Sequence, residues 1–250
     1  QKSLVWYCFT RVSKYTQMQN KTLVSFGDSW PQGSELTPSE RPFGKLLSEK
    51  LGCKDFNNYS IPASSINHLS VQLNSYIKLS NNGVQDLSDT IAVFFLTAQE
   101  RFMVYEHHTN LWMFQTANTV NGVLESSRLD VGDGEGGGRS PGQDKKLCDD
   151  TNQAYWKYIY SPELTDITTN NTIITLQSTC KYYGIKDYYI AGWQLINFWP
   201  VVDTTRIYKN GTVNCRDLIK GHIAEGSHPD QQGHQLISDA LYEWIQTDAR

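Results

Sequence analysis

An α/β fold built on a buried parallel sheet is the class this sequence predicts, and three observations predict it. The run Ile91–Thr97 (IAVFFLT) is apolar almost throughout, as a strand covered on both faces must be. From Lys21 onward, short strand-like segments alternate with amphipathic helical ones, the pattern of strands joined by helical crossovers. The 250 residues are 39% hydrophobic and 12% aromatic, enough for one sizeable core and too apolar for wholesale disorder. In such sheets a ligand site lies at the carboxyl ends of the strands.

The elements follow in order. Thr22–Phe26 (TLVSF) reads as a short strand ending at Gly27. Pro42–Leu51 places Phe43, Leu46, Leu47 and Leu51 on one helical face, with Gly52 as the stop. Asp55–Tyr59 reads as a second strand. Ser64–Leu79 spaces Ile66, Leu69, Leu73 and Ile77 by three and four, a helix with one apolar stripe. After the buried strand Ile91–Thr97 the pattern lapses from Ala98 to Asp150, a long insertion or lid that includes Tyr105, Trp112 and Phe114. Asn171–Tyr183 reads as a helix closed by Gly184, and Asp187–Ala191 as the next strand. Pro229–Gln246 carries Leu236, Ile237, Leu241 and Ile245 as a helical stripe, with proline near its first position. Residues 18–250 thus form one domain, and residues 1–17 are expected to be an extension outside it.

Composition narrows the function. Twenty-two basic against 26 acidic side chains leave a net charge of −4, which disfavours nucleic acid as a partner. No apolar stretch is long enough to span a membrane. Five scattered cysteines (Cys8, Cys53, Cys148, Cys180 and Cys215) form no C-x-x-C pair, so a zinc ribbon is excluded and a reducing, cytoplasmic setting is the simpler expectation. Four N-x-S/T sequons at Asn20, Asn58, Asn170 and Asn210 pull weakly towards secretion, but the opening residues show no signal-peptide cleavage pattern. The glycine-rich run Asp130–Asp144 lacks the G-K-[ST] ending of a phosphate-binding loop and follows no strand, so it reads as a surface loop or lid.

Two short segments carry candidate chemistry. Ser29, in Gly27-Asp28-Ser29, directly follows the first strand. Taken alone the tripeptide is as readily a turn, but its position puts a hydroxyl at the ligand edge of the sheet, among backbone N–H groups that can hold an oxyanion. His228, in Glu225-Gly226-Ser227-His228-Pro229, stands just ahead of the last helix. An exposed capping-loop histidine is the bland alternative, but a base is what a nucleophilic serine needs, and Glu225 lies three residues earlier, within reach of one ring nitrogen. His222, His228 and His234 recur every six residues, a spacing that aims no three rings at one point, so no metal is expected.

With these blocks in place the chain resembles the SGNH (GDSL-type) hydrolases, from about residue 22 to the C-terminus. The Gly27-Asp28-Ser29 and Glu225-Gly226-Ser227-His228-Pro229 blocks match closely. The resemblance implies a three-layer α/β/α, flavodoxin-like fold and metal-free, cofactor-free hydrolysis of esters, with Ser29 as nucleophile and His228 as base. The middle blocks depart from the family's pattern. Ala63, within Asn58-Tyr59-Ser60-Ile61-Pro62-Ala63, replaces the glycine whose N–H enters the oxyanion hole. Gln99, within Thr97-Ala98-Gln99-Glu100, replaces the asparagine donor, and Glu225 replaces the usual aspartate.

The expectation is therefore a serine esterase or carbohydrate O-deacetylase acting on a small-molecule or carbohydrate ester. Ser29 is its nucleophile, His228 its base and Glu225 its orienting acid, with Ser29, Ala63 and Gln99 around the oxyanion. Should Glu225 not serve, Asp203 and Asp230 are the next acids. The rival expectation is a binding or structural module on the same fold whose site has decayed at positions 63, 99 and 225.

Overall fold

The protein was studied as a computed structural model, which describes residues 18–80, 87–99, 101–106, 111–120, 123–127 and 160–248. The expected extension 1–17 and the glycine-rich run Asp130–Asp144 lie outside the described residues.

Four parallel strands, β1 (Thr22–Phe26), β2 (Asp55–Asn58), β3 (Thr90–Leu96) and the later β7 (Lys186–Ala191), pair in the order β2-β1-β3-β7. Strand alternation explains why both faces need cover. Leu23, Ile91, Val93, Phe95, Tyr188 and Ile190 point to one side, where they pack with side chains from α2 (Phe43–Leu51), α5 (Cys215–Ile219) and α6 (Gln231–Asp248). Val24, Phe26, Ala92, Phe94, Leu96 and Tyr189 point to the other, towards α3 (His68–Ser80) and α4 (Pro162–Tyr182). The result is the three-layer α/β/α arrangement. Each fully buried Phe or Leu in these two clusters contributes roughly 1.5–3 kcal/mol. The strand order reverses at β1 and β3, and the crevice at their carboxyl ends is where doubly wound sheets place a site.

Two expectations need correction. The insertion from Ala98 is not an irregular loop throughout: β4 (Phe102–Glu106), β5 (Leu111–Val120) and β6 (Val123–Ser127) pair as an antiparallel sheet in the order β4-β5-β6. Its sequence signal was present in Asn121-Gly122, the dipeptide favoured in two-residue hairpins, between Val120 and Val123, which pair in register.

The second concerns α4, which begins at Pro162, well before Asn171. Its first turns are threonine-rich and show little amphipathic periodicity, so the start is set by capping instead. Ser161 accepts the Leu164 N–H at 3.0 Å, proline follows, and Thr165, Thr168 and Thr172 each donate a hydroxyl to the carbonyl four residues back.

Candidate active site

Beyond β1, Asp28 caps α1 (Ser29–Gln32), and its Oδ1 accepts the Trp30 N–H at 3.0 Å. Ser29 is thus the first residue of a turn held at both ends, since its carbonyl accepts from Gly33 at 3.1 Å and from Ser34 at 3.0 Å. Ser29 is 7% exposed, and its hydroxyl makes no hydrogen bond among the described residues. The turn is anchored underneath. Trp30 is fully buried and lies against Trp193 and Phe95, at ring distances of 4.5 and 5.6 Å.

Asp28 is itself completely buried. Its Oδ2 accepts from Thr97 Oγ1 and from Arg101, each at 2.5 Å, so the residue just past β3 and an arginine early in the insertion are tied to the turn that begins at Ser29. A buried carboxylate needs such partners, because removing it from water unpaired is costly. The Arg101 guanidinium also lies 5.8 Å from the Trp193 ring. Gly27 is required by space: a Cβ there would meet Pro31 Cγ at 2.5 Å and Phe95 Cβ at 2.9 Å.

Ala63 reaches the same edge through shared hydrogen bonds. The Gly27 carbonyl accepts from Ile61 N–H at 3.0 Å, Ser64 Oγ at 2.7 Å and Gln72 Nε2 at 2.8 Å, while Gln72 Oε1 takes the Gly27 N–H at 2.9 Å. Asn58 adds a strut, accepting from Ser25 Oγ at 3.0 Å and donating to the Pro31 carbonyl at 2.9 Å. Ala63 is buried with φ 61°, the left-handed region that favours glycine. Alanine here therefore holds a backbone conformation that glycine adopts without steric cost. Neither the Ser29 nor the Ala63 N–H has an acceptor among the described residues.

His228 arrives from the other end of the chain on a small hairpin. Ile223 bridges Pro229, Ala224 donates to the His228 carbonyl at 2.7 Å, and Asp230 donates to the His222 carbonyl at 3.1 Å. Gly233 lets α6 approach it, since a Cβ there would lie 2.6 Å from the His222 carbonyl oxygen. His228 Nδ1 is buried and sits 3.2 Å from Glu35 Oε2; the alignment falls short of a hydrogen bond, and among the described residues no other group partners this nitrogen.

Four candidate residues stand differently from expectation. Glu225 is exposed, and the carboxylate within 4 Å of the His228 ring belongs to Glu35 instead. Asp230 takes the Gly233 N–H at 2.7 Å and lies 3.5 Å from His222, while Asp203 caps a 3₁₀ turn at Thr204–Arg206, so neither reserve acid faces His228. Gln99 is occupied: its Nε2 lies 3.4 Å from Asp166 Oδ1, and its Oε1 accepts from Gln194 at 3.1 Å.

Sequence reasoning passed over Glu35 and Arg101. Glu35 had one available signal, its place in Gly33-Ser34-Glu35-Leu36, a glycine-led turn close behind the candidate nucleophile. Arg101 had none, since its partner is distant in sequence. His222 and His234 do not join His228 as a ligand set. His222 faces Asp230, and His234 is fully buried with Nδ1 accepting the Phe43 N–H at 3.1 Å. Among the described residues no cluster of three or more His, Cys, Asp or Glu could hold a metal, and no helix is long and apolar enough to cross a membrane.

No family model and no curated protein sequence matches the chain. Among solved structures it is similar to a catalytic mutant of an acetylxylan esterase from Geobacillus stearothermophilus, with a TM-score of 0.39 and 10% identity, covering 90% of this chain and 94% of that one. A likeness at that level does not carry chemistry from one protein to the other.

Proposed function

We propose that this protein is a serine ester hydrolase of the SGNH type, with Ser29 as nucleophile and His228 as general base. One observation carries the reading. Ser29 opens a turn closed by Gly33 and Ser34, the next turn carries Glu35, and Glu35 Oε2 lies 3.2 Å from His228 Nδ1, so one short segment at the carboxyl edge of β1 links the candidate nucleophile to the candidate base.

In the proposed reaction His228 Nε2 takes the proton of Ser29 Oγ as the oxygen attacks the ester carbonyl. The negative charge moves to the carbonyl oxygen, where the Ser29 and Ala63 N–H groups are the available donors. Collapse breaks the bond to the alcohol oxygen, which leaves with the proton from His228. Water then gives a proton to His228 and attacks the acyl carbon, and the carboxylic acid and Ser29 are released. Gln99 would join the oxyanion site only by leaving Asp166. The proposed oxyanion site therefore rests on the two backbone donors, and a side-chain amide added to them would be worth about 2.7–4 kcal/mol.

Short acyl esters, and O-acetyl groups on carbohydrates first among them, are the substrates to test. The occupied Gln99 amide favours the rival reading of a decayed site. Against that stands the retention of the serine, the histidine and two unengaged N–H donors. Intact-mass analysis after treatment with a fluorophosphonate is the deciding experiment. We expect one adduct, at Ser29, lost in Ser29→Ala and His228→Ala, and a kcat on p-nitrophenyl acetate that falls by about 10⁶-fold or to background in Ser29→Ala. A folded wild-type protein that takes no adduct and cleaves no acyl ester refutes the enzyme.

A further inference from the structure

We infer that Glu35, and not the carboxylate of the Glu-x-x-His segment, is the residue that positions His228. The inference rests on the Ser29–His228 reading above, and it moves the orienting acid from the histidine's own loop to the nucleophile's turn.

Four observations converge on it. First, Glu35 Oε2 is 3.2 Å from His228 Nδ1, a buried nitrogen with no other partner among the described residues, while Glu225 is exposed. A neutral imidazole acting as base through Nε2 must carry its proton on Nδ1, and an acceptor facing Nδ1 selects that tautomer. A slight ring rotation would convert the contact into a charge-assisted hydrogen bond once His228 holds the serine proton.

Second, the backbone places Glu35 against its own preference. The turn is closed by the Leu36 N–H to the Gly33 carbonyl at 3.2 Å, and Glu35 occupies its third position with φ 69°. That position favours glycine or asparagine, and a glutamate there carries a steric cost of about 1–2 kcal/mol. Nothing about the turn itself calls for a carboxylate. Ser227, next to His228, is also left-handed, with φ 70°, so strain sits on both sides of the contact.

Third, the opposing loop is shaped around this side chain. A Cβ on Gly226 would lie 1.5 Å from Glu35 Oε1, so only the absent side chain of glycine admits the carboxylate. Fourth, Ser34 and Gly33 both donate to the Ser29 carbonyl, at 3.0 and 3.1 Å. The residues just ahead of Glu35 are therefore fixed to Ser29, and the imidazole is contacted from the serine's own segment.

The test combines four variants with two readouts. Steady-state kinetics on p-nitrophenyl acetate read catalysis. The ¹H–¹⁵N spectrum of the histidine rings, with His228 assigned from His228→Gln, reads the tautomer whether or not the protein is active. We expect Glu35→Gln to lose about 10²–10⁴-fold in kcat with KM little changed, the upper end being the cost of amidating the acid of a serine protease triad. Glu35→Asp should retain more activity than Glu35→Gln. Gly226→Ala should reproduce the Glu35→Gln loss at near wild-type stability, because the new methyl displaces only the far end of a flexible side chain. Glu225→Gln should stay within about threefold of wild type. The His228 Nδ1–H signal should be lost in Glu35→Gln and Gly226→Ala and kept in Glu225→Gln.

An intact tautomer signal and a kcat within about threefold of wild type in Glu35→Gln overturn the inference and leave the hydrolase standing. So does a large loss in Glu225→Gln. If the signal depends on Glu35 in a protein that cleaves no ester, Glu35 positions the ring and the hydrolase reading is what fails.

Discussion

The ion pair at the base of the Ser29 turn gives the sharpest stability prediction. Asp28 is fully buried and the Arg101 side chain is 13% exposed, so their contact is shielded from solvent. Arg101→Met keeps most of the arginine's length and apolar contact while deleting its charge. Removing one partner of a buried pair typically costs about 3–5 kcal/mol, because the remaining charge is left uncompensated. Here Asp28 keeps two other donors, the Trp30 N–H and the Thr97 hydroxyl, which lowers the expectation to about 2–4 kcal/mol. The Asp28→Asn/Arg101→Met double variant should recover a good part of that loss, with a coupling energy on the order of 2 kcal/mol. Urea unfolding at neutral pH, followed by circular dichroism with m unchanged, measures both. Because Asp28 caps the turn that starts at Ser29, the rate of fluorophosphonate labelling should fall in Arg101→Met as well. A destabilisation below about 0.5 kcal/mol, or strict additivity in the double variant, would show that the pair neither supports the turn nor compensates Asp28.

Two further predictions follow from the same interior. Burial lowers both His68 and His234 to about 4, so between that value and the ordinary histidine range the unfolded chain binds protons that the native protein does not. Stability therefore rises with pH across about 4 to 6.5 and is lost on acidification, by up to about 3 kcal/mol per histidine, with Asp187, raised by burial, working in the opposite direction. Thermal melts from pH 4 to 7 should show this slope, and His234→Asn, whose Oδ1 can still accept the Phe43 N–H, should flatten it; an unchanged slope would remove His234 from the account. Gly27→Ala should cost about 1–3 kcal/mol through overpacking against Phe95 and Pro31, and should slow fluorophosphonate labelling by shifting α1. A variant with wild-type melting temperature and labelling rate would show that the turn can yield.

Much of the architecture was legible in the sequence because it is written locally. The unbroken apolar run at Ile91–Leu96, short and rich in β-branched and aromatic residues, reads as a strand covered on both sides, and the three-and-four spacings around Leu69 and Leu241 read as helices with one face on that sheet. Ser29 was visible for the same reason, since a serine just past a buried strand is placed at the sheet edge by chain direction alone. The place of His228, just ahead of the last helix, was legible from Pro229 and the apolar stripe that follow it.

What the sequence could not decide is which carboxylate meets the histidine. Glu225 is the nearer in sequence, but the tight hairpin around Ala224 and Ser227 leaves it in solvent, and the turn at Gly33–Leu36 carries Glu35 across the cleft to Nδ1. The same holds for Gln99, whose amide is taken by Asp166 on α4 and by Gln194, and for Arg101, whose charge is needed only because packing buries Asp28. Periodicity and turn chemistry depend on neighbours along the chain. A side chain's partner depends on how finished elements dock, and a single residue held in the left-handed region, as Glu35 and Ala63 are, redirects a loop without leaving a sequence pattern to read.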